Sequence, residues 1–119
     1  MTRKISFASG EYFHIYNRGT NKMHIFNNNS DYQRFLELLF LTNSTKTLQY
    51  SDLEKNKIWD VDRGETLVDI GIWVLMPNHF HLVIKSKNEK ATSTFLQRVL
   101  ISHSKYFNKK NDRTGSLFQ

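Results

Sequence analysis

Residues 66–86, TLVDIGIWVLM-PN-HFHLVIKS, decide the fold. A nearly continuous apolar run rich in β-branched side chains (66–76) is followed by Pro77-Asn78 and then by a second β-branched run (79–86). Pro77 is the only proline in the chain, and it stands where a reversal is needed. Two such runs about a tight turn predict an antiparallel hairpin. Continuous apolarity, in place of alternation, predicts strands buried on both faces, central in a sheet and covered by helices on one side.

Upstream, EYFHIYN (11–17) is aromatic and β-branched and predicts a strand, which RGTN (18–21) ends. After the turn-forming Asn27-Asn28-Asn29, Ser30 and Gln33 have the spacing of a capping box. Tyr32, Phe35, Leu36, Leu39 and Phe40 then recur as one apolar helical face that fades near Asn43-Ser44. Residues 44–65 are polar and acidic and read as a long excursion, with a short helix at 51–56 and a turn at Arg63-Gly64. Downstream, Thr94 and Gln97 repeat the capping-box spacing. Phe95, Leu96, Val99, Leu100, His103, Tyr106 and Phe107 form one stripe of a helix over 92–110. A turn follows at 111–115. There is no internal repeat and no linker composition, so residues 1–119 read as a single domain. The order strand, helix, strand, strand, helix predicts an α+β, ferredoxin-like βαββαβ sandwich with an antiparallel sheet, lacking its last strand.

Composition narrows the function. The chain has no cysteine, which excludes disulfides, thiolate metal sites and a cysteine nucleophile. No apolar run approaches the roughly 20 residues of a membrane span, and the N-terminal MTRKISF has no apolar signal core. A cytoplasmic setting without a membrane partner is expected. The net charge is +6, and it is unevenly spread: +3 over residues 1–30, −3 over 31–70, none over 71–84 and +6 over 85–119. A basic C-terminal third attracts polyanions, of which nucleic acid is the commonest.

One short pattern carries chemistry. On a strand, side chains alternate faces, so His79 and His81 project together while Phe80 points into the core. Two imidazoles about 7 Å apart along the strand can converge on one divalent cation. Two unrelated polar residues at a strand end would give the same string, so the pair alone leaves both readings open.

The string VLMPNHFHLV (74–83) resembles the signature of the REP-associated tyrosine transposases, relatives of the small insertion-sequence transposases of the HUH single-tyrosine class. YFHIYNRG (12–19), DYQRFL (31–36), YFNKK (106–110) and RTGSLFQ (113–119) are similar to further family strings, in the same order, so the resemblance spans 11–119. It implies that His79 and His81 hold Mg²⁺ or Mn²⁺, which polarises a phosphate of single-stranded or hairpin DNA. A tyrosine hydroxyl then attacks, leaving a 5′-phosphotyrosine link and a free 3′-OH. Imidazole is a poor match for a hard ion, so weak binding completed by water or phosphate oxygen is expected. The resemblance also implies a homodimer.

In the family, a last strand and a tyrosine-bearing helix follow the stretch that 115–119 resembles, so the chain reads as C-terminally truncated and its nucleophile as absent. Tyr106, in the basic helix, is the one candidate nucleophile within it, although its spacing with Phe95, Val99 and His103 points to packing. Tyr12 and Tyr16 share a strand face with His14 and read as structural or DNA-adjacent. Arg18, Lys22, Arg98, Lys105, Lys109, Lys110 and Arg113 are the candidate phosphate contacts. Asp62 or Asp69 could add a third metal ligand; His14 and His24 carry no assignment, and His103 reads as a packed or capping histidine. The leading expectation is therefore a DNA-processing transposase domain. The alternatives are a non-catalytic nucleic-acid-binding module descended from one, a small RNA-binding or interaction domain, and, more weakly, a zinc hydrolase.

Overall fold

The computed structural model describes residues 8–119. Its elements are β1 (Tyr12–Arg18), α1 (Asn29–Thr42), β2 (Val68–Met76), β3 (His79–Ser86) and α2 (Glu89–Lys110), with short 3₁₀ turns at Thr20–Lys22, Tyr50–Asp52 and Lys55–Asp60. The strands form one antiparallel sheet in the order β1-β3-β2. The hairpin of 66–86 thus forms, and β3 is the central strand.

The core lies between one face of this sheet and the two helices. β3 alternates strictly: Phe80, Leu82 and Ile84 are buried, while His79, His81, Val83 and Lys85 lie on the other face. Phe35 of α1 packs on Phe80 with ring centroids 5.2 Å apart, and Phe26 and His103 close around Phe35 at 5.1 Å each. Phe95, Val99 and Phe107 contribute the buried stripe of α2.

β2 is not buried on both faces. A bulge between Ile70 and Ile72 inserts Gly71, so Ile70 faces Ile84 over the core whereas Ile72 faces Val83 on the outside. From there Ile72, Val74 and Met76 point outward and are exposed. The apolar run reflects an uncovered sheet face as well as a core.

Both helices start earlier than the capping-box spacing predicts, because asparagine does the capping. The Asn28 side chain accepts the Asp31 N–H at 3.1 Å, and the Asn88 side chain accepts the Ala91 N–H at 2.8 Å. Ser30 instead donates to Asn28 Oδ1, and Thr94 lies well inside α2. At the end of α1, buried Asn43 leaves the helix and pins it to β2. Its Oδ1 accepts from Leu67 N and Val68 N at 2.8 and 3.0 Å, and its Nδ2 donates to Val68 O at 3.0 Å.

Gly19 follows β1 where the chain doubles back. A Cβ there would lie 2.1 Å from the Met23 carbonyl oxygen, so no larger residue fits without moving backbone. Beside this turn the final residues run along the free edge of β1. Gly19 bridges Phe118 in antiparallel fashion, Thr20 N–H donates to Leu117 O and Gln119 N–H to Arg18 O.

Candidate metal and nucleic-acid face

Register fixes what stands together on the uncovered face. Across the strands run the rows Tyr12–Lys85–Asp69, His14–Val83–Ile72, Tyr16–His81–Val74 and Arg18–His79–Met76. His79 and His81 project from one pleat, their rings 5.2 Å apart and nearly perpendicular. Buried Phe80 between them anchors the strand to the core. β1 adds His14, whose ring stacks on His81 at 4.9 Å, and Tyr16, whose ring lies 4.9 Å from His81 and 5.9 Å from His79.

Each of the paired imidazoles has one nitrogen committed. Asn78 Oδ1 accepts from His79 Nδ1 at 2.7 Å, which leaves Nε2 as the nitrogen with the free lone pair in the neutral ring. His81 Nδ1 shares a 2.7 Å hydrogen bond with His14 Nε2. When His81 is the donor in that bond, its own Nε2 is likewise open. A neighbour that holds one imidazole nitrogen and leaves the other for a cation is the usual outer arrangement of metal-ligating histidines. Desolvation, with the nearby His14 and His79, lowers the His81 pKa and favours the neutral, ligating form. Among the described residues, no group of three or more His, Asp or Glu side chains is arranged to hold a metal ion.

The aspartates considered as third ligands are elsewhere. Asp69 pairs with Lys85, four residues along β3 from His81 and so about 13 Å away by the rise of a strand. Asp62 accepts from Gly64 N–H in the 61–67 connection and pairs with Lys46. The residue beside the pair is His14, which the spacing within β1 could not single out because its partner strand is set by tertiary pairing.

Tyr106 does not meet the histidines. It lies on α2, with the sheet between it and the pair; its hydroxyl donates to Asp31 Oδ1 at 2.5 Å and its ring lies under Arg34. Burial and the bond to Asp31 raise its pKa, the reverse of what activates a phenol for attack. Packing, the other reading of its spacing, is the one that fits.

The basic candidates divide between the two sides of the sheet. Arg18 and Lys22 are at the His79 end, Arg18 donating to Gln119 Oε1 at 2.8 Å and Lys22 exposed in the turn after β1. Arg98, Lys105, Lys109 and Lys110 are on α2 and line a cleft against α1. Arg113 is occupied by Asn108 and the Ser116 carbonyl. No helix among the described residues is long and apolar enough to cross a membrane.

Comparison with protein-family models, with curated proteins and with solved structures finds no match to this chain.

Proposed function

We propose that this chain is the cation-holding, DNA-binding part of a transposase-type domain of the HUH class, built on a ferredoxin-like sandwich. The observation that carries this is the His79–His81 pair on an exposed strand face, one nitrogen of each ring tied to a neighbour. The strand order β1-β3-β2, with helices on the opposite face, supports the fold reading.

A Mg²⁺ or Mn²⁺ ion, when bound, supplies Lewis-acid polarisation of a phosphate oxygen. The protein's own share is positioning. His79 and His81 would hold the ion, while Asn78 and His14 fix their ring orientations. Tyr16, exposed beside the pair, and Tyr12, exposed farther along the same sheet face, offer ring faces on which unpaired bases stack. Arg18 and Lys22 offer positive charge to the phosphates at the same end of the sheet. The second reading, a module that binds nucleic acid without cutting it, is favoured by the separation of Tyr106 from the histidines.

The test is fluorescence anisotropy with a labelled hairpin carrying a single-stranded flank. Tyr12→Ala/Tyr16→Ala is expected to weaken binding by about 1–3 kcal/mol per stacked base, tenfold or more for the pair. The free duplex stem should compete poorly. Equal affinity in the double variant, or equal competition by the stem, would contradict a binding surface on this face.

A further inference from the structure

A cavity lies on the other side of the molecule from the histidines. It is an open cleft of about 880 Å³ between α1 and α2, walled by residues 47–50. Its lining includes Arg34, Arg98, Lys105, Lys109 and Lys110 and contains no carboxylate. The two acids behind it are buried and engaged. Asp31 Oδ1 accepts from Lys110 Nζ at 2.7 Å and from Tyr106, and Glu37 accepts from the Tyr50 hydroxyl at 2.8 Å. Those bonds engage Lys110 and both acids, and Arg98 Nη1 is turned to the carbonyls of Thr42, Ser44 and Lys46 at the end of α1, which leaves Lys105 and Lys109 as the cations open to the cleft. Lys105 and Lys109 are exposed and have no acidic partner among the described residues.

The rest of the lining is not that of a purely electrostatic patch. Arg34 lies between the Tyr50 and Tyr106 rings, 4.6 and 4.2 Å from their centroids, which fixes its guanidinium. Its Nη1 is a buried donor with no hydrogen-bond partner among the described residues. Half-exposed Ile101 and partly buried Leu48 supply its accessible apolar floor, with buried Leu38 and Leu41 behind them. The amides of Gln49 and Gln97 stand at its margin. Cations without acids call for an anion; the apolar floor and side-chain amides call for a planar, hydrogen-bonding ring attached to it. The volume falls in the range of small-molecule sites, about 300–1,000 Å³.

We propose that this cleft binds a nucleoside phosphate, its phosphates on Lys105 and Lys109 and its base over the floor formed by Leu48 and Ile101. The site is distinct from the histidine face and does not depend on the reading given to that face. A free nucleotide and the terminal nucleotide of a DNA strand share this chemistry, and the test separates them.

Isothermal titration uses ADP, inorganic pyrophosphate and the dinucleotide d(pTpT) as probes, each against the wild-type chain, Lys105→Glu/Lys109→Glu and His79→Ala/His81→Ala. The lysines are exposed, so their replacement leaves the core untouched. ADP is expected to bind the wild type and the histidine variant equally and the lysine variant about tenfold or more weakly, since charge-assisted hydrogen bonds are lost. A preference for d(pTpT) over ADP would assign the site to strand ends, and the reverse preference to free nucleotide. Pyrophosphate binding as tightly as ADP would overturn the proposal by showing that the ring contributes nothing. Absence of ADP binding, or ADP binding indifferent to the lysine changes, would overturn it as well.

Discussion

Truncating Phe35 to alanine is expected to cost about 4 kcal/mol of stability, the range seen when a fully buried aromatic ring is removed. Phe35 is completely buried and touches rings from three other parts of the chain: Phe26 before α1, Phe80 on β3 and His103 on α2. No single neighbour can collapse into the space without abandoning another, so the cavity should persist. Domains of this size have total stabilities of about 5–15 kcal/mol, which leaves the variant marginal. The strand that carries His79 and His81 rests on this ring through Phe80, so loosening here reaches the uncovered face. Urea unfolding should show a lower midpoint with an unchanged slope. A loss below about 2 kcal/mol would mean that the site relaxes and that the ring cluster is not the centre of the fold.

The second large effect is a loss of stability in mild acid. His103 is fully buried; its Nε2–H donates to the Ile25 carbonyl at 2.7 Å, and Nδ1 has no hydrogen-bond partner among the described residues. Burial, aided by the nearby Arg34 charge, pushes its pKa from 6.5 down to about 4, against the opposing pull of the Ile25 hydrogen bond and Asp31. The unfolded chain therefore takes up a proton near pH 6.5 that the folded chain refuses. The stabilisation is complete above that pH and is lost progressively as pH falls toward 4, by about 3 kcal/mol in all. His81, also depressed, adds a contribution of the same sign. His103→Gln keeps a donor for Ile25 O and removes the titration. Its stability should therefore change much less than the wild type's between pH 7 and 4.5. Parallel pH profiles for the two proteins would contradict this assignment.

These two residues also indicate how far the sequence could be read. Phe35 and His103 lie on the apolar stripes of α1 and α2, and helical periodicity identifies both, because helices that cover a sheet must present one apolar face. The β2–β3 hairpin and the shared face of His79 and His81 follow from strand alternation in the same way. What alternation cannot supply is pairing between distant strands. The adjacency of β1 and β3 brings His14 and Tyr16 to the histidine pair, and nothing local to 12–18 encodes it. The Gly71 bulge is hidden within a nearly continuous apolar run, so β2 reads as buried although six of its nine residues are exposed. The basic residues of α2 were legible as a charged face. Which side of the sheet they occupy was not, and they belong to the α1–α2 cleft instead of the histidine face. The capping asparagines lay within turn-forming stretches, where Ser30 and Thr94 offered a competing pattern.

The proposal that His79 and His81 jointly hold a divalent cation is tested most directly by titrating Mn²⁺ while following the histidine side-chain NMR signals. The account predicts that the resonances of His79 and His81, with adjacent His14, broaden at substoichiometric Mn²⁺ before those of His24 and His103. It also predicts that His79→Ala/His81→Ala abolishes the selectivity. Broadening that affects all five histidines alike, or that centres on the acidic 52–65 stretch and persists in the double variant, would contradict it.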